Sequence, residues 1–527
     1  MPTAFYHNVY DDIGEARSGN SFHLSASVIL CVCCLPICIV VIIVATTTTS
    51  NFHDNHPVIW SIVAVTSVVS TIITIVIWKR LRTTGQEGVA YRIEDVAIKP
   101  KLLFLWIFGF ARIFSSTLEL AVGFYCMQHK SKQMFAGEIF LSVFTNFSEI
   151  SFTITQLCFL SSYSACKLKA DGMVNFGLST IIVTHLVQWF EMIFTTLARN
   201  DLINVMPQNE TNNTCFHSPE FKNFEKDIIP YTEPMSTEYG LLAVGMVLRL
   251  ASFLDNSGPT SDLESTHTER TPLLCVHYFG TTAKIEKRNT PALETEMKDQ
   301  HQFQIPSFYC CLLAAFIICL PILVTIILNA YEEASLQFGL GVVQFLFKVE
   351  LTTLIIITCY LWYVQFGQQN ISDRKYDGKL ILLMSTAGTV SHFAFGLVAG
   401  IIIENEENSS IATFLILQKI LEIFVVVIQT YLILKSQRLR VVHSFRTTGC
   451  ISVDKMFHVF FLIRVIMWIA DSYIGKNTEK IMPIESKVYG DKYWKAINDV
   501  LYPVTMFYLF HTAIDFYQMY KKYEKSF

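Results

Sequence analysis

About twelve stretches of this chain stay apolar for the ~20 residues that a helix needs to cross a bilayer, and this constrains the fold more than any other feature. They run from Leu24 to Thr46 at one end to Trp494 to Tyr520 at the other. Backbone polar groups cannot stay unpaired in hydrocarbon, so each such stretch predicts a helix. Composition agrees, since 52% of the 527 residues are hydrophobic, only 16% are charged, and mean hydropathy is +0.41. The expected fold is an all-α integral membrane protein. Its net charge of -4 averages loops of opposite sign and gives no argument for a nucleic-acid partner. The 14 cysteines fall mostly inside apolar runs, with neither zinc spacing nor a disulfide framework.

Basic residues set the orientation, because short loops rich in Lys and Arg stay cytoplasmic. The loop after the second span carries Lys79, Arg80, Arg82, Arg92, Lys99 and Lys101, whereas the alternate loops Thr47 to Pro57, Tyr331 to Gln337 and Glu404 to Ser410 contain neither residue. Both termini are therefore expected in the cytoplasm. One loop dissents, with Lys476, Lys480, Lys487 and Lys492 between the last two spans. Glycosylation sequons at Asn209, Asn212 and Asn408 all fall on outside loops in this scheme.

The longest polar stretch divides the chain. The expected organisation is a tail at 1–23, a six-helix half at 24–254, a flexible cytoplasmic linker at 255–306, a second six-helix half at 307–520, and a tail at 521–527. An even number of spans per half makes any internal repeat parallel, a pseudo-two-fold about the membrane normal. Three pairs support one, in the same order in both halves: Gln156 with Gln429, His185 with Arg464, and Tyr239 with Tyr508, at offsets of 273, 279 and 269 residues.

The patches Phe176 to Trp189, Tyr231 to Leu242, Val488-Tyr-Gly490 and Pro503 to His511 resemble the otopetrin family of proton channels. The resemblance implies proton-selective conduction gated by external pH. It further implies a homodimer in the plasma membrane, zinc as an inhibitor, sterol at interfaces, and paths within each half or along the contact between halves. No His/Asp/Glu cluster has catalytic metal spacing and no nucleophile elbow appears, so neither an enzyme nor a cofactor is expected. Family members carry a Gln, an Asn and a Tyr in each half at the constrictions. Gln156 and Tyr239 match in the first half and Gln429 and Tyr508 in the second, but His185 and Arg464 replace the asparagines. Leu509 stands where many members carry Arg.

Ionisable residues inside spans are functional candidates by default, though each has a structural alternative. His185, with a near-neutral reference pKa, can accept and release a proton or simply bridge helices. Glu238, beside Tyr239, is a vestibule carboxylate or an interfacial anchor. Gln156 and Gln429 hold water at a constriction or glue helices. His511 and Asp515 share a helix face at i, i+4 spacing. Glu119, Glu149, Glu422 and Asp471 are supporting ionisable groups, and Lys348 and Glu350 are expected to pair with neighbouring spans. Arg464 cannot deprotonate, so it either pairs with Asp471 or Glu422 or blocks its half. External His53, His56 and His217 are candidates for acid sensing or zinc binding. The other reading of a parallel twelve-span repeat is a proton-coupled secondary transporter of a small solute.

Overall fold

A computed structural model describes residues 34–47, 56–84, 89–92, 95–128, 136–168, 171–205, 219–251, 308–324, 337–366, 378–407, 410–439, 452–478 and 484–524. The external histidines 53 and 217, the three sequons and the stretch 255–306 lie outside these, as does the side chain of His56. The chain divides into two compact units, Met1–Thr281 and Thr282–Phe527.

Helices dominate both. Unit 1 contains α1 (Leu35–Thr47), α2 (His56–Thr84), α3 (Ile98–Gln128), α4 (Ala136–Tyr163), α5 (Gly172–Val205) and α6 (Pro219–Leu250). Unit 2 contains α7 (Phe308–Val324), α8 (Gln337–Phe366), α9 (Lys379–Glu407), α10 (Ser410–Arg438), α11 (Val453–Thr478), the short α12 (Ile484–Tyr489) and α13 (Asp491–Glu524). Among the described residues, six helices are long and apolar enough to cross a membrane, namely α2, α3, α5, α8, α9 and α10. The polar α4, α6, α11 and α13 are as long, and they carry most of the candidate site residues.

Among the described residues, one short strand pair accompanies the helices. Val89–Arg92 (β1) pairs antiparallel with Cys166–Leu168 (β2). α2 packs along α4, which brings the loops after them side by side, and the pairing satisfies backbone groups that would otherwise seek water.

In unit 1, α4 packs on α2, α3 and α6, α6 also packs on α3 and α5, and α5 packs on α2. In unit 2, α10 packs on α8, α9 and α13, α13 also packs on α9 and α11, and α11 packs on α8. Apolar side chains such as Ile72, Phe110, Phe147, Tyr360 and Val427 cover the outer faces, as helices bathed in lipid require. Most intrahelical Ser and Thr hydroxyls bond back to a carbonyl one turn earlier, as Thr74 does to Ser70 at 2.7 Å. Other polar groups, among them Glu149, Gln156, His185 and Arg464, turn inward.

Candidate functional site

Glu149, Phe152, Thr153 and Gln156 recur every three or four residues on α4 and so form one buried stripe. α5 presents His185 to this stripe because its neighbours hold the helix against α2. Thr184 and Ser70 share a hydroxyl contact of 2.5 Å, and Gln188 Nε2 donates to Ser67 Oγ at 3.0 Å. With those two residues committed to α2, His185 packs between the rings of Phe152 at 4.9 Å and Tyr239 of α6 at 5.5 Å. Tyr239 donates its hydroxyl to the Thr153 carbonyl at 3.5 Å.

The polar atoms beside that bond are unusual. His185 is 1% exposed and Gln156 0%, yet neither imidazole nitrogen and neither amide atom has a protein hydrogen-bond partner among the described residues. Burying such groups dry costs several kcal/mol, roughly 2–7 per group, so the site calls for water. Glu238, next to Tyr239, is buried within α6.

Sequence reasoning missed the cation of this unit. Nη2 of Arg112 on α3 donates to both oxygens of Glu149 at 2.9 Å each, and Ser116 Oγ donates to Glu149 Oε2 at 3.1 Å. The Arg112 charge also acts on His185 and Tyr239. Glu119 lies on the exposed side of α3 and interacts with Arg112 electrostatically.

Unit 2 repeats one detail of unit 1. Tyr508 is 0% exposed and donates its hydroxyl to the Val426 carbonyl at 3.1 Å. Val426 precedes Gln429 by three residues, as Thr153 precedes Gln156. Pro503, inside α13, removes one intrahelical bond a little more than a turn before this point. Around it, however, the chemistry differs.

Arg464 is 3% exposed and donates through Nη2 to Gln429 Oε1. The expected partners Asp471 and Glu422 do not bond it. Glu422 is already held by Lys348 at 2.8 Å and Lys419 at 3.2 Å, and Asp471 reaches Arg464 only as a longer-range charge. Lys348 thus pairs across helices as its sequence position suggested, whereas Glu350 stays on an exposed face. His392 contacts Asn498 and Thr505 at 3.2 Å each. His511 and Asp515 approach to 3.7 Å, an ionic separation longer than a hydrogen bond. Lys348, Lys419, Glu422, Arg464, Asp471 and Tyr508 all line a cavity of about 500 Å³ within this unit.

A family model described as Otopetrin matches residues 195–510. The chain belongs to the otopetrin family. No curated protein matches it. As an otopetrin it belongs to a family of membrane channels rather than to an enzyme class, and family membership supports proton conduction at that level. Its helices agree with a multi-pass membrane protein. Among the described residues of this otopetrin, no group of three His, Cys, Asp or Glu is placed to hold a metal ion.

Proposed function

We propose that this chain is a proton-selective channel opened by external acid, and that Gln156, His185 and Tyr239 form a constriction of its path in unit 1. The observation that carries the reading is the buried pair Gln156 and His185, whose polar atoms have no protein partner among the described residues. An amide and an imidazole can each accept and donate, so with water between them they complete a hydrogen-bonded chain. A metal cation would need several ligands to replace its hydration shell. The proton needs only the chain.

The wider reading is a pseudo-two-fold repeat of six spans per half, with both termini cytoplasmic. Equivalent helix pairs pack together in the two units, α4 with α2, α3 and α6 against α10 with α8, α9 and α13, and the Tyr-to-carbonyl bond recurs. Assembly as a homodimer in the plasma membrane, with zinc acting at the external histidines and sterol at interfaces, completes the proposal.

The test is whole-cell current with intracellular pH imaging while external pH is stepped from neutral to acid. A reversal potential shifting by about 59 mV per pH unit, indifferent to replacement of sodium and chloride, is expected. His185→Ala is expected to cut that current at least tenfold at equal surface amount. Acid-evoked current that follows sodium instead would overturn the reading.

A further inference from the structure

We infer that Arg464 is a built-in plug that closes unit 2 to protons, so that one half of this channel conducts and the other does not. The inference rests on the proton-channel reading above and assigns the two halves different roles.

The two units carry the same Tyr-to-carbonyl bond, and beside it stands the same amide, Gln156 in one and Gln429 in the other. In unit 1 both ends of the amide and both imidazole nitrogens of His185 have no protein partner among the described residues. In unit 2 the amide oxygen is taken by Arg464. This exchange matters for two separate reasons.

The first is connectivity. A proton moves along a hydrogen-bonded chain only if each member both accepts and donates. Water, imidazole and amide do so, but a guanidinium carries five donors and no acceptor, and it does not give up its proton in proteins. A chain of waters that reaches Arg464 therefore ends there. Arg464 and Tyr508 line the 500 Å³ cavity of unit 2, whereas Gln429 is not among its lining residues.

The second is charge. Arg464 is buried and has no carboxylate in hydrogen-bond contact among the described residues. Asp471 acts on it only as a longer-range charge, and Glu422 is committed to Lys348 and Lys419. Charges in a low-dielectric interior are poorly screened, so any second positive charge entering this constriction is repelled. Arg112 of unit 1 differs in this respect, because both Glu149 oxygens bind it directly.

The experiment compares acid-evoked current, normalised to biotinylated surface protein, in four chains: wild type, Arg464→Asn, His185→Ala, and the double variant. Arg464→Asn is expected to raise the current at least twofold with proton selectivity unchanged. His185→Ala is expected to lose at least tenfold, and adding Arg464→Asn to it is expected to restore current through unit 2. Arg464→Met, which keeps the bulk of the stem and removes the charge, replaces Arg464→Asn should that chain fail to reach the surface.

A double variant that reaches the surface and stays silent would overturn the plug, as would wild-type current insensitive to loss of the Arg464 charge. Wild-type current that His185→Ala leaves intact would overturn the assignment of conduction to unit 1. Silence of every surface-delivered chain, Arg464→Asn included, would instead remove the proton-channel reading on which the inference stands.

Discussion

Arg112 sits among Phe108, Phe110, Ile113 and Phe114, in a run whose hydropathy hides it, yet it makes the best-formed buried ion pair of unit 1. Both side chains are largely withdrawn from solvent, at 13% and 7% exposure. Removing one partner of such a pair leaves an uncompensated charge and costs about 3–5 kcal/mol, while replacing both with apolar groups is often neutral. Glu149→Leu is therefore expected to lower the thermal midpoint of the detergent-purified protein sharply. Adding Arg112→Met should recover most of the loss. A double variant no better than the single one would show that the pair does not act as a unit. Glu149 stood out in the sequence because a carboxylate in a span always does, but its partner did not, since local pattern does not say which helix faces which. The same limit explains Arg464, where charge alone suggested a carboxylate partner and the packing supplied an amide. By contrast, the His511 and Asp515 pair was legible, because i, i+4 spacing on one helix fixes proximity without any knowledge of the neighbours.

Helices show a similar division. The last apolar run, Trp494 to Tyr520, lies within α13, which extends past it at both ends, because a helix leaving hydrocarbon can keep its own hydrogen bonds into the interface. The short helix α12 escaped sequence reading altogether, its lysines suggesting only a loop that broke the charge rule. It is held by Tyr489, whose hydroxyl donates to the Phe395 carbonyl at 2.9 Å and whose ring stacks on Trp494 at 5.9 Å. Gly490 then turns the chain into α13 at φ +80°, a left-handed conformation that a Cβ disfavours. Gly490→Ala is expected to cost roughly 1 kcal/mol, in line with the left-handed penalty, read as a drop in thermal midpoint. Glu485 on α12 is buried, and that burial, partly offset by Lys419, pushes its carboxyl above the ordinary value of 4.5. The docked helix thus binds the proton more readily than a released one would. Docking is weakest above the raised pKa, strengthens as pH falls through it, and levels off below the ordinary value. Amide-exchange protection factors for 484–489 should rise on acidification, and Glu485→Gln should hold them high and flat. Protection that falls with acid would contradict this.

At the scale of the whole molecule, Tyr239 and Tyr508 offer a matched pair of probes for the difference between the units. Each is a fully buried phenol whose hydroxyl donates to a carbonyl one turn before the glutamine. Replacing either by Phe removes the same kind of bond, and a lost hydrogen bond that leaves a buried carbonyl short of a donor costs about 1–3 kcal/mol. On stability alone the two variants should behave alike, with Tyr508→Phe losing slightly more because its hydroxyl also contacts Thr430 at 3.3 Å. On conduction they should differ. Tyr239 stands at 5.5 Å from the His185 ring, in the constriction proposed for conduction. Tyr508 stands in the unit that Arg464 is proposed to close. Acid-evoked current per surface molecule is therefore expected to fall severalfold in Tyr239→Phe and to change less than twofold in Tyr508→Phe, although their thermal midpoints drop by similar amounts. Equal losses of current would mean that both units conduct, and the sequence symmetry would then be functional as well as structural.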